Sequence, residues 1–181
     1  MRKAAFIFIV GLTTFLMTSF IGNPIVQDEN EKEEGLTWYT KLDEVHKLSK
    51  ETGKPIFGFF TGSDWCGWCH KLQREVFAKE AFIKWANDNV ILLELDFPRK
   101  KQLPADLAQQ NRDLQSAFQV TGYPTIWVFF ANKDEATGKF NLTALGKLGY
   151  PRGAEPGKEE VKFIQDADAV MANKSKISGS N

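Results

Sequence analysis

The chain's two cysteines stand two residues apart, in the stretch Trp65-Cys66-Gly67-Trp68-Cys69-His70. An apolar run, Ile56-Phe57-Gly58-Phe59-Phe60, precedes them, and Leu72, Val76 and Phe77 follow at helical spacing. A Cys-x-x-Cys at such a strand-to-helix junction sets the first sulfur at a helix N-terminus. Unpaired N–H groups and the helix dipole favour an anion there, so the Cys66 thiol should lose its proton readily. The thiolate is the attacking species in disulfide exchange. Cys69, one helical turn on, is placed to attack a mixed disulfide formed at Cys66.

Three other chemistries use the same residue types. A purely structural disulfide closing so short a loop would remove only about 2 kcal/mol of unfolded-chain entropy. A zinc site wants four ligands; the chain offers two Cys and two His, and His70 adjoins Cys69. The third is sharper, because Cys66-x-x-Cys69-His70 also spells the attachment signature of c-type haem. Those six residues alone do not decide between exchange and haem.

The elements that must position the pair follow from the rest of the chain. Arg2 and Lys3 precede an uncharged stretch from Ala4 to about Ile21, the pattern of a secretory signal. No clean Ala-x-Ala follows, so an uncleaved anchor through residues 4–21 is the alternative. Either puts the body of the protein outside the cytoplasm, periplasmic or secreted. Of 181 residues, taking away 1–22 leaves 159, enough for one domain with a real core. Lys+Arg and Asp+Glu number 23 each; without Arg2 and Lys3 the balance is 21 against 23, and no basic excess points to nucleic acid. Membrane contact is expected only through that N-terminal segment.

Residues 23–35 read as an acidic linker, with Asp28, Glu29, Glu31, Glu33 and Glu34 against Lys32. A domain over 36–173 then begins with a short edge strand near Trp38. Thr40 with Asp43 resembles an N-cap pair for a helix bearing Leu42, Val45 and Leu48, which Gly53 stops. Ile56–Phe60 and Val90–Asp96 are apolar enough to be buried strands of a parallel sheet. A helix runs from about Glu80 to Asn87. Phe97 to Leu103 is a basic loop, and Pro104 opens a helix carrying Leu107, Leu114 and Phe118. Thr125–Phe130 and Phe140–Leu148 form a hairpin, a Pro/Gly-rich loop spans 149–157, and Val161, Ile164, Ala167 and Met171 mark a last helix. Residues 174–181 read as a disordered tail.

This order, β-α-β-α-β-α-β-β-α, resembles the thioredoxin fold, an α/β architecture with a central mixed sheet flanked by helices on both faces. The segment Thr61 to Cys69 is similar to secreted bacterial thioredoxin-like proteins with a Trp-Cys-Gly-Trp-Cys site. Gly122-Tyr123-Pro124-Thr125, about 55 residues later and just before a strand, resembles the family's cis-proline loop, which faces the dithiol. The resemblance covers about residues 36–173 and sets haem aside as a minor alternative.

By that resemblance Cys66 is the attacking cysteine, Cys69 the resolving one, and Pro124 the residue that orients an incoming substrate strand after a cis peptide. Trp65, Trp68 and Tyr123 would form an apolar, substrate-binding rim. The implied activity is thiol–disulfide exchange on protein disulfides outside the cytoplasm. It needs no cofactor beyond the Cys66–Cys69 pair, and an upstream thiol donor or acceptor serves as redox partner. A redox-quiet binding module that uses the same rim is the rival from another class.

Two departures from the family matter. Cytoplasmic thioredoxins have Gly-Pro between the cysteines, and the family's strong oxidants and isomerases carry a His there; this chain has Gly67-Trp68, which leans towards a reductase or general exchange protein. Thioredoxins also keep a buried Asp on the strand beneath the dithiol, and that place falls here on Phe59 or Phe60. Glu94, the one carboxylate within Val90–Leu95, is a candidate to replace it as proton acceptor, since burial raises a carboxyl pKa towards that of a thiol. The plainer reading is that Glu94 pairs with a lysine or points out past the sheet edge.

Overall fold

The computed structural model describes residues 35–175. The expected signal segment, the linker up to residue 34 and the tail from 176 lie outside the described residues. Among those described, no helix is long and apolar enough to cross a membrane.

The elements run β1 (Trp38–Tyr39), α1 (Leu42–Thr52), β2 (Ile56–Thr61), α2 (Gly67–Leu72), a π turn (Gln73–Phe77), α3 (Glu80–Asn89), β3 (Ile91–Asp96), α4 (Ala105–Ala117), β4 (Thr125–Lys133), β5 (Phe140–Leu148) and α5 (Glu159–Met171). The sheet order is β1-β3-β2-β4-β5. β1 and β2 each pair parallel with β3, whereas β4 runs antiparallel to both β2 and β5. This is the mixed sheet the element order predicts.

Alternation along β2 sorts the core into two layers. Phe57 and Phe59 share one layer with both cysteines, Leu72, Phe77, Phe82 and Phe163, which come from α2, the π turn, α3 and α5. Ile56 and Phe60 share the other with Val45 of α1 and Leu114 of α4. All six β2 residues are buried, which is why the strand reads as an unbroken apolar run. The first layer is rich in aromatic rings: Phe77 stacks on Phe82 with centroids 4.7 Å apart and meets Phe59 edge-on at 5.1 Å. Such pairs add about 0.5–1.5 kcal/mol each beyond the area they bury.

The termini of α1 show where local reading ends. Gly53 closes the helix in the left-handed region (φ 68°), its N–H donating to Ser49 O, as a glycine C-cap should. The N-terminus departs from the expected Thr40–Asp43 pair. Lys41 takes the N-cap place and makes no side-chain cap. Instead Gln110, on α4, accepts from Leu42 N–H at 2.8 Å and donates to Thr40 O at 2.9 Å. The unpaired first-turn N–H groups need some acceptor, and here it comes from across the fold.

Candidate active site

Cys66 is the N-cap of α2, in extended conformation, and Cys69 lies in its first turn. The sulfurs form a disulfide. Cys66 Sγ accepts a hydrogen bond from Cys69 N–H at 3.2 Å, and Cys66 O accepts from Cys69 N–H and His70 N–H. Cys66 is 5% exposed and Cys69 fully buried, so any approach to the pair comes through the first sulfur.

The loop from β2 into α2 is fixed by four side chains. Asp96, buried at the end of β3, accepts from Ser63 N–H at 2.8 Å and from Ser63 Oγ at 2.6 Å, and pairs with Lys101 at 3.0 Å. Asp64 reaches the other way and accepts the backbone N–H groups of Arg99, Lys100 and Lys101, which hold its carboxyl below the usual range. Trp65 Nε1 donates to Phe97 O at 2.8 Å, and His70 Nε2 lies 2.9 Å from Ser63 O. The basic loop 97–103 is thereby stapled onto the dithiol loop. Gly62 permits this, because a Cβ there would stand 2.5 Å from Trp65 Nε1 and 2.8 Å from Cζ2.

Trp68, Tyr123 and Pro124 line one groove of about 1010 Å³ that continues along Lys147, Tyr150 and Arg152. The Tyr123–Pro124 peptide is cis. Trp65 meets Tyr123 edge-on, centroids 5.7 Å apart, and Trp68 meets Tyr150 in the same manner at 5.1 Å. Trp68 is 57% exposed, whereas Trp65 and Tyr123 are half-buried. Burial pushes the Tyr123 hydroxyl up, partly offset by the hydrogen bond from Gln115 Nε2 at 2.6 Å.

Of the two phenylalanines in the place of the family's acid, the layers single out Phe59, which shares the cysteines' cluster; Phe60 faces the other way. Glu94 is the parallel partner of Phe59 on β3 and, two residues from Leu92, shares the strand face of that residue, which belongs to the same layer. It is half-buried and makes no hydrogen bond or ion pair among the described residues, Lys101 being paired with Asp96 instead. Burial raises its pKa, the nearby Asp96 raises it further, and Lys101 opposes both.

Sequence reading misses Tyr150, Lys71 and Glu75. Tyr150 Oη donates to Glu75 Oε2 at 2.5 Å, and Lys71 lies over both the Tyr150 and Trp68 rings. A signal for Tyr150 exists. The triplet Gly-Tyr-Pro occurs at 122–124 and again at 149–151, and each copy supplies a tyrosine to one of the site's two tryptophans.

The residues do not fit a haem attachment. The two sulfurs that thioether links would need are buried and joined to each other, and His70 is engaged with Ser63. Among the described residues no group of three or more His, Cys, Asp or Glu could hold a metal ion.

The model of the thioredoxin-like domain matches residues 42–140. The chain belongs to the thioredoxin-like family. It is 38% identical over 114 residues to "Disulfide bond reductase DsbH" of Chlamydia pneumoniae, covering 63% of this chain and 61% of that protein. "Thioredoxin-related protein DsbJ" of the same organism is 25% identical over 143 residues, covering 79% of this chain and 39% of its own length. The chain thus spans less than two thirds of the length of these curated relatives. Among solved structures, "DsbH Oxidoreductase" superposes with a TM-score of 0.62 at 29% identity, over 83% of this chain and 94% of that one. A thioredoxin from Thermus thermophilus, at 15% identity and a TM-score of 0.50 over 76% and 88% of the two chains, shares the thioredoxin-like fold.

Proposed function

We propose that this thioredoxin-like protein is an extracytoplasmic thiol–disulfide oxidoreductase that reduces or exchanges protein disulfides. The observation that carries the reading is the asymmetry of the pair: Cys66 caps α2, two residues before the exposed, groove-lining Trp68, and Cys69 is fully buried in the first turn of the helix. The names of the Chlamydia relatives support the same chemistry.

In the reductive direction Cys66 attacks, as thiolate, one sulfur of a substrate disulfide. That S–S bond breaks, the departing substrate thiolate takes a proton, and a mixed disulfide joins the two proteins. Cys69 then loses its proton and attacks Cys66 Sγ. The second substrate thiol leaves, and the Cys66–Cys69 disulfide remains. Two electrons pass to the substrate, and a thiol donor must return them; an acceptor would run the cycle backwards. No cofactor beyond the cysteine pair takes part.

In this scheme Trp65, Trp68 and Tyr123 hold the substrate segment, and Pro124 orients it. Cys66 keeps the Cys69 N–H as a donor that favours its thiolate. With Phe59 beneath the dithiol, Glu94 is the carboxylate offered to take the Cys69 proton. Action outside the cytoplasm rests on the expected leader at 1–22 and on the relatives' type.

Catalysis of insulin disulfide reduction by dithiothreitol tests the activity. Turnover that is lost on Cys66→Ser supports it; a wild-type protein without effect overturns it in favour of a redox-quiet binder. The redox potential against glutathione then fixes the direction.

A further inference from the structure

Each of the two tryptophans that bracket Cys66 lies under a cation. Arg99 Cζ stands 3.7 Å from the Trp65 ring centroid. Lys71 Nζ stands 5.2 Å from that of Trp68 and 4.9 Å from that of Tyr150. Lys100 is exposed beside Arg99, and exposed Lys147 and Arg152 line the groove that begins at Trp68.

Three of the carboxylates in these surroundings are already engaged, while Glu159 lies near enough to Lys71 to act on its charge. Asp64 accepts three backbone N–H groups of the basic loop. Glu75 accepts from Tyr150 and faces Lys71 at 3.7 Å and Arg74 at 3.6 Å. Asp166, also in the groove wall, is held by Lys162, with Nζ–Oδ2 at 2.6 Å. Arg99, Lys100, Lys147 and Arg152 form no ion pair among the described residues. The whole chain has a formal charge of 0, so this is a local concentration of positive charge around one sulfur.

We propose that this rim selects protein disulfides flanked on both sides by acidic residues, with Arg99 and Arg152 as the specificity-determining cations. The proposal rests on the oxidoreductase reading and names its substrate class. A substrate held as a mixed disulfide on Cys66 must lay its neighbouring residues against Trp65 on one side and along the groove on the other. A guanidinium stacked on an indole keeps its N–H edge available to a carboxylate, and bidentate pairing favours Asp and Glu there. Cations on both sides also steer an acidic partner during encounter, an effect that salt screens over about 8 Å at physiological strength. The electron balance is unchanged, since the rim acts on which disulfide arrives.

The test uses the reduced full chain and three synthetic peptide disulfides that differ only in having Glu, Gln or Lys on both sides of the cysteine. Rates of mixed-disulfide formation are followed by stopped-flow tryptophan fluorescence in about 20 mM and about 500 mM salt. The Glu peptide should react roughly tenfold faster than the Gln peptide at low salt, the Lys peptide slowest, with the order collapsing at high salt. Arg99→Gln with Arg152→Gln should bring the Glu/Gln rate ratio towards one. Arg152→Glu should lower the Glu/Gln rate ratio further than Arg152→Gln does, which a merely structural role for Arg152 would not produce. Equal rates for the three peptides at low salt, or a ratio untouched by these variants, overturns the rim and leaves the oxidoreductase standing. Reaction with none of the peptides overturns both.

Discussion

Tyr150 meets Trp68 edge-to-face at 5.1 Å while its hydroxyl donates to Glu75, so the loop after β5 is tied to the exposed end of the dithiol helix and, about two turns on, to the π turn. Two separations in sequence, 82 residues from Trp68 and 75 from Glu75, close on one ring.

Tyr150→Phe keeps the ring and removes the donor. The Tyr150 hydroxyl is the largest influence that holds the Glu75 carboxyl below its ordinary value of 4.5. A carboxyl depressed on folding contributes stability that is present above the ordinary pKa and lost as pH falls through the folded one. The variant should therefore show a Glu75 pKa closer to 4.5 and a flatter loss of stability below that pH. Carbon-detected NMR titration of the glutamate carboxyls reads the first, and denaturation across the acid range the second. Tyr150→Ala should in addition lose the aromatic pair, about 1 kcal/mol, and shift Trp68 emission to the red.

The burial of Cys69 predicts unequal thiols. In the reduced protein, iodoacetamide near neutral pH should modify Cys66 at least tenfold faster than Cys69, read by mass spectrometry of quenched samples. Cys69→Ser should accumulate mixed disulfides on Cys66 in an extract that contains oxidised proteins. Comparable modification of both sulfurs would remove the division of roles.

Glu94 carries a raised pKa, and the sign of its effect is opposite to that of Glu75. A carboxyl raised on folding favours the folded state while it is protonated, and that contribution is lost as pH climbs from the ordinary 4.5 through the folded pKa. Glu94→Gln should hence raise the melting temperature at pH 7, with the gain disappearing towards pH 4. If Glu94 takes the Cys69 proton, the same variant slows release of the mixed disulfide several-fold and leaves the first attack by Cys66 unchanged. Stopped-flow measurement of both steps separates the outcomes, and an unaltered release rate between pH 6 and 9 removes Glu94 from the reaction.

Gly62→Ala should be among the more damaging single-methyl changes in the chain. The added Cβ would displace the Trp65 indole and with it the hydrogen bond to Phe97 O. Overpacking of this kind costs about 2 kcal/mol. Urea denaturation measures the loss, and the Trp65 indole N–H resonance should move towards its solvent-exposed position.

How much of this was open to sequence reading depends on how far apart the partners lie. β2 and β3 could be read because both faces of each strand are largely covered, and continuous apolar runs such as Ile56–Phe60 state that directly. The dithiol and the Gly122-Tyr123-Pro124 loop each carry their signal within a few residues. The cap of α1 could not be read, because its acceptor, Gln110, is 68 residues from Leu42 and nothing local to Gln110 marks it. The choice between Phe59 and Phe60 waited on knowing which layer holds the cysteines. Arg99 on Trp65 was hidden for a related reason: the basic loop resembles a solvated one until Asp64 gathers its N–H groups.

The π turn at Gln73–Phe77, closed by Ala78 N–H donating to Gln73 O, sets the angular phase of the molecule's redox end. Such a turn holds one residue more than an α-helix would use for the same rise, and one residue of helix is a rotation of roughly 100°. Everything before it, with Trp68 lining the groove and Lys71 over its ring, is thus dialled independently of Phe77 and Phe82, which are keyed into the aromatic layer. Removing one residue there would act less as a shortening than as a twist of a key. The barrel of the lock, the sheet and its packed rings, could stay where it is while the cysteines turned to face a different wall.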